Sequence, residues 1–164
     1  MGSRSKKITK ETDKAYIAGF LDGDGSLMLQ LKKRSDSKRG IRFMTTICFY
    51  QDARHKETLY WIKEVLGIGY ISNRNDGMTE LRINGYKQIE EILKDLLPYI
   101  RFKKLQSITL LQACKLLSNT KFSKLTKKQL IKLVDFILVI QSENYVTKRK
   151  KAKNELCKIL GLTP

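Results

Sequence analysis

Ile17-Ala18-Gly19-Phe20-Leu21-Asp22-Gly23-Asp24-Gly25 sets an apolar, helix-forming run directly against two carboxylates one glycine apart. Ala15, Gly19 and Gly23 recur at four-residue spacing, while Tyr16, Ile17, Phe20 and Leu21 form an adjoining bulky stripe. Such a helix packs a core with its bulky side and lets another backbone come close on its small-residue side. Gly23 and Gly25 favour a stop, so Asp24 falls at the helix end. Two of these helices side by side would bring two Asp24 carboxylates together, oxygen ligands suited to a divalent cation. The segment occurs once in the chain. A pair therefore needs a second subunit.

Upstream, residues 1–11 read as a basic tail without periodicity, and Thr12 or Asp13 is placed to cap a helix running to about Gly23. Downstream, Leu27, Leu29 and Leu31 alternate with Met28, Gln30 and Lys32, which predicts a strand over 26–33. A polar loop over 34–40 leads into a second alternating run. Phe43, Thr45, Ile47 and Phe49 share one face of it, and Arg42, Met44, Thr46, Cys48 and Tyr50 the other. A helix is expected over 55–66, capped by Gly67. Asn75-Asp76-Gly77 marks a hairpin between strands over 70–74 and 79–83. Further helices are expected over 86–97, where Pro98 stops the first, and over 103–118, 127–142 and 148–160. The order describes an α+β fold: four antiparallel strands backed by helices, in a single domain over 12–164.

Charge narrows the function. The 33 Lys and Arg outnumber 16 Asp and Glu for a net +17, which points to a polyanionic partner. A membrane is not expected to be that polyanion, because the sequence holds neither an apolar span of ~18 residues nor a basic amphipathic anchor. Cys48, Cys114 and Cys157 are odd in number and far apart, a pattern of neither a disulfide framework nor paired zinc ligands. With no apolar signal core at the start of the sequence, an intracellular protein with reduced thiols is expected.

The inward faces of the four strands are apolar. The outward faces carry Gln30, Lys32, Arg34, Arg42, Thr46, Ser72, Arg74, Glu80 and Arg82. Arg and Lys suit guanine, Gln suits adenine and Glu suits cytosine in the major groove. Met28, Met44 and Cys48 share that face and are counted with the DNA contacts. Any one such residue is ordinary on a solvent-exposed sheet, but the set is strongly basic in a chain already far from neutral. A strand of ~8 residues covers about 26 Å, roughly eight base pairs, so one subunit reads a half-site and a dimer a pseudo-palindrome. The run Lys148, Arg149, Lys150 and Lys151 opens the expected last helix and suits phosphate contact.

With this helix, its acidic end and this strand order, the chain resembles the LAGLIDADG homing endonucleases, and within them the single-motif, homodimeric, intron-encoded group. The similarity runs from about Thr12 to Ser118 and more weakly through the C-terminal helices. It implies the αββαββα fold with a saddle-shaped sheet and a site-specific double-strand DNA endonuclease. It implies Asp24 as the metal ligand, with the Gly23 carbonyl facing the metal. Ala15, Ala18, Gly19 and Asp22 fall on the implied dimer interface, Asp22 mainly organising the helix end. Gln51 matches a position that orients water, and Lys103 one that assists at the scissile phosphate. Gln106 follows on the same helix face. The pocket arginine of close relatives falls on His55, with Lys56 beside it. Implied cofactors are Mg²⁺, Mn²⁺ as a substitute, and Ca²⁺ supporting binding without cleavage.

Two other classes compete. An RNA-splicing maturase with intron RNA as partner, or a non-cleaving DNA-binding protein, could use the same fold, but loss of the last motif carboxylate would mark it, and Asp24 is present. A small basic RNA-binding protein explains the charge but not the small-residue stripe ending in Asp-Gly-Asp-Gly. Organelle and prokaryotic cytoplasm are both compatible with the resemblance.

Overall fold

The computed structural model describes residues 4–35, 40–145 and 148–162. Helix α1 (Glu11–Asp24) leads into a hairpin of β1 (Gly25–Lys33) and β2 (Ile41–Asp52). A one-turn 3-10 helix (Ala53–His55) and α2 (Glu57–Leu66) connect this to a second hairpin, β3 (Tyr70–Asn73) and β4 (Met78–Asn84). Then come α3 (Tyr86–Leu96), α4 (Lys104–Asn119), α5 (Lys127–Glu143) and α6 (Lys153–Ile159). The expected αββαββα order with added C-terminal helices is present. Residues 36–39 of the first hairpin loop lie outside the described residues.

The sheet runs β1-β2-β4-β3, antiparallel throughout, so β2 and β4 join the two hairpins and β1 and β3 form the edges. Register follows the side-chain alternation. Leu27, Ile47 and Ile83 stand in one row and Phe49, Leu81 and Ile71 in another, on the face that the helices cover. Leu27, Leu29, Phe43, Ile47, Phe49, Leu81 and Ile83 form one core with Ile17, Leu21, Leu59, Ile62, Ile89, Leu110 and Leu133 from the helices. Among the described residues no helix is long and apolar enough to cross a membrane.

The helix ends obey local chemistry, with two departures. Gly67 caps α2 at φ 68° and donates its N–H to the Lys63 carbonyl, as expected of a glycine that can enter the left-handed region. At the other critical glycine the reason is space. A Cβ on Gly25 would lie 2.6 Å from Leu21 Cδ1 and 2.7 Å from the Leu21 carbonyl oxygen, so β1 can begin hard against the last turn of α1 only without a side chain. α1 begins two to three residues early, after Lys10, which makes no side-chain cap. Neither Thr12 nor Asp13 serves as N-cap. α2 begins two residues late because Asp52 caps the 3-10 turn instead, accepting from the Arg54 N–H at 2.9 Å.

Two terminal segments differ from expectation. Residues 4–10 are packed rather than hanging free. Ile8 is 2 % exposed and belongs to the core. The Lys6 N–H donates to the Leu66 carbonyl at 2.8 Å, and the Ile8 N–H to Asp95 Oδ2 at 3.2 Å. At the other end, Lys148, Arg149, Lys150 and Lys151 precede α6 instead of opening it, because the helix starts at Lys153. Buried Leu156 and the Lys153–Asp135 ion pair at 2.7 Å hold α6 to α5.

Candidate active site and nucleic-acid interface

The last turn of α1 separates the two motif carboxylates by direction. Asp22 turns into its own chain, 8 % exposed. Its Oδ2 accepts the Arg101 N–H at 2.6 Å and its Oδ1 the Lys103 N–H at 2.9 Å. The Lys103 ammonium donates to the Asp22 carbonyl oxygen. One carboxylate thus satisfies two otherwise orphaned N–H groups ahead of α4 and ties that helix to the end of α1. This corrects the placement of Asp22 in a dimer interface: it is an intrachain latch.

Asp24, by contrast, is exposed, as is Gly23. Both line a cavity of about 800 Å³ with Asp22, Ser26, Met28, Tyr50, Arg74, Lys103 and Gln106. Burial pulls the Lys103 ammonium below the usual lysine range, while Asp22 and Asp24 oppose that shift. Gln106 is 5 % exposed, and its Oε1 has no partner among the described residues. Sequence reasoning brought Asp24, Gly23, Lys103, Met28 and Arg74 to the site, and the structure joins them. It missed Tyr50, whose hydroxyl lies 3.1 Å from Ser26 Oγ, although its outward parity on β2 was a usable signal. Glu143 and Asn144 also line the cavity. They arrive from the far end of α5 with no local signal at all.

Gln51 and His55 are not among that lining. The Gln51 Oε1 accepts the Asp52 N–H at 2.8 Å. His55 sits exposed in the 3-10 turn, beside the Arg54–Asp52 ion pair at 2.9 Å. The Arg54 guanidinium holds the Asp52 carboxyl well below the usual carboxylate range.

Across the outward sheet face, depth varies in a way that alternation does not reveal. Lys32 pairs with Arg42 in register and Gln30 with Met44, and both cations are exposed. Further along, Thr46 and Cys48 are fully covered, which removes them from the expected base-reading set. The cause is position: they lie on a central strand, flanked by Met28 and Asn84, and by Ser26 and Arg82. The Thr46 hydroxyl donates to Asn84 Oδ1 at 2.7 Å, and burial pushes the Cys48 thiol up. Glu80 is likewise buried, paired with Arg82 at 3.2 Å and accepting from the Ser72 hydroxyl at 3.2 Å. Arg74 lies 5.8 Å over the Tyr50 ring and 2.8 Å from Asp76.

On α1, Ala15 and Gly19 are exposed, and a Cβ at Gly19 or Gly23 would meet nothing within 4 Å. This chain's own packing does not demand those glycines. Ala18 is different. It is fully buried in the core with Ile17 and Leu21, because it lies about 100° around the helix from Gly19. It leaves the expected interface set.

Among the described residues no three His, Cys, Asp or Glu side chains converge as metal ligands. Asp24 offers an exposed carboxylate at the C-terminus of α1, where the free carbonyls and the helix dipole favour a cation. Oxygen donors of this kind suit Mg²⁺, which keeps waters and takes few protein ligands.

A family profile described as LAGLIDADG endonuclease matches residues 17–117. The chain belongs to the LAGLIDADG endonuclease family. Within the family it is 35 % identical over 107 residues to the DNA endonuclease I-CvuI of Chlorella vulgaris, covering 65 % of this chain and 66 % of that one. It is 27 % identical over 108 residues to the DNA endonuclease I-CreI of Chlamydomonas reinhardtii, covering 66 % of each. The chain thus spans about two thirds of the length of both relatives by sequence. In structure the likeness reaches further. I-CvuI in complex with its target in the presence of 2 mM Ca superposes with a TM-score of 0.81 over 92 % of this chain and 94 % of that one. A second I-CvuI complex, with an I-CreI target in 2 mM Mg and the DNA not cleaved, gives 0.80. Both are 27 % identical to this LAGLIDADG chain.

Proposed function

We propose that the protein is a metal-dependent, site-specific double-strand DNA endonuclease that acts as a homodimer. The observation that carries this reading is that an exposed Asp24 and a half-buried Lys103 line one cavity, with the Asp22 latch joining their elements at the end of the basic sheet face. Two chains meet along the open side of α1, at Ala15, Gly19 and Gly23, so that each contributes one Asp24. The sheet faces of both then extend outward along a pseudo-palindromic target.

Asp24 and the Gly23 carbonyl would hold Mg²⁺, which when bound would supply an activated water and charge stabilisation at the phosphate and the leaving oxygen. Lys103 holds its ammonium next to Asp24, where it offsets negative charge that grows on the phosphate. Gln106 offers a buried acceptor in the same cavity. Gln51 and His55 serve at the rim, Gln51 ordering water and His55 donating a hydrogen bond to phosphate. Mn²⁺ substitutes for Mg²⁺, and Ca²⁺ supports binding without cleavage. Inside the cell, in an organelle or a prokaryotic cytoplasm, intron RNA is an additional partner of the basic surface.

Selection of cleaved sites from a randomised duplex library with Mg²⁺, repeated with Ca²⁺, tests the proposal. Recovery of one near-palindromic site cut only with Mg²⁺ is expected. Binding without cleavage under both ions would leave a DNA-binding protein instead.

A further inference from the structure

The basic segment at Lys148, Arg149, Lys150 and Lys151 has no secondary structure of its own, and the first three residues are exposed. It nevertheless has a fixed place. The Gln141 side chain on α5 accepts the Lys151 N–H at 3.0 Å and donates to the Lys151 carbonyl at 3.2 Å. A carboxamide that bonds both backbone groups of one residue acts like a neighbouring strand, fixing that residue's position and direction. Among the described residues these two bonds are the only hydrogen bonds from 148–151 to the rest of the fold. Arg149 and Lys151 then line a cleft of about 180 Å³ with Gln30 and Lys32 of β1. Arg149 and Lys151 therefore stand at the edge of β1, beside Gln30 and Lys32.

We propose that Gln141 is a positioning residue for DNA binding: its amide fixes the 148–151 backbone so that Lys148, Arg149 and Lys150 form a preformed phosphate grip flanking β1. The inference rests on the DNA-binding reading above. Covering the edge of β1 needs no cations, and Asn144 already contributes there by donating to the Leu27 carbonyl at 3.2 Å. Ordering the segment before the DNA arrives removes an entropic cost from each phosphate contact. Buried Leu156 and the Lys153–Asp135 pair hold α6 independently, so losing the clamp frees the segment without detaching the helix.

The test is a cycle of Gln141→Ala and the triple change Lys148→Ser, Arg149→Ser, Lys150→Ser, read as the salt dependence of duplex binding in Ca²⁺. The triple variant should flatten the slope of log K against log salt by up to about 2.7, at about 0.9 per phosphate contact. Gln141→Ala alone should flatten it by about 1 or more and add nothing in the triple background. Gln141→Glu, which still accepts from the Lys151 N–H but cannot donate to its carbonyl, should fall between and serves if the alanine variant does not fold. An unchanged slope, or an equal loss with and without the three cations, overturns the clamp. A wild-type protein without salt-dependent DNA binding overturns the DNA reading itself, and the clamp with it.

Discussion

The outer and inner halves of the outward sheet face are built from similar residues and are chemically opposite. At the outer end Lys32, Arg42 and Gln30 face solvent or stand half-covered, and among the described residues Lys32 and Arg42 make no ion pair. At the inner end the same side-chain types are already committed. Arg82 pairs with buried Glu80, which also accepts from Ser72; Arg74 is held by Asp76 and the Tyr50 ring; Thr46 is bonded to Asn84. Open cations bind phosphate or base edges at little structural cost and are felt through salt dependence. Committed polar groups hold one geometry, and their loss leaves a buried partner unsatisfied. The inner half adjoins the cavity around Asp24 and Lys103, so the rigid half surrounds the chemistry and the open half lies away from it.

The largest effect that could break this contrast lies at the inner end. Lys103→Ala should lower single-turnover cleavage by roughly 10²-fold, the scale of losing one preorganised electrostatic group, with binding in Ca²⁺ changed far less. The pH profile sharpens this. Burial lowers the Lys103 pKa below that of an ordinary lysine, so its charge is present at low pH and lost as pH rises through that lowered value. Wild-type cleavage should decline at alkaline pH, and Lys103→Arg, which stays charged, should remove the decline. An identical alkaline limb in both would detach Lys103 from the chemistry.

Next comes the committed network. Arg82→Ala strands the Glu80 carboxylate and should destabilise folding by about 1–3 kcal/mol in urea titrations. A neutral result would show that the inner pairing is incidental. The smallest folding effect belongs to the outer half. Lys32→Ala or Arg42→Ala should move stability by no more than about 0.5 kcal/mol, yet flatten the salt slope of binding by about 0.9 each. If Arg42→Ala cost as much stability as Arg82→Ala, the division between the halves would fail.

Much of this was legible from the chain. The nine motif residues fixed the end of α1, alternation fixed the strands and their faces, and Asn75-Asp76-Gly77 fixed the second hairpin. What stayed hidden depends on neighbours distant in sequence. Thr46 and Cys48 have the right parity but the wrong depth, since cover on a central strand comes from β1 and β4. Ala18 shares the composition of the small-residue stripe but not its direction. Ile8 looked like part of a tail because one apolar residue has no period, and only α2 and α3 give it a place to pack. Glu143 and Asn144 reach the Asp24 cavity through the path of α5, which no local pattern encodes.

The central claim is that Asp24 is half of a site shared by two chains. Mixing wild-type with Asp24→Asn chains, allowing subunits to exchange, and counting strand cuts with Mg²⁺, nicked as well as linear product, tests it most directly. Asp24→Asn alone should bind but not cut. In an equal mixture about half of the dimers are hybrids, and if both carboxylates are required for either cut, total strand scission falls to about a quarter of the wild-type level and no nicked product builds up. A fall of total scission to only about half, with hybrids that nick one strand as from chains that act independently, would contradict the shared site.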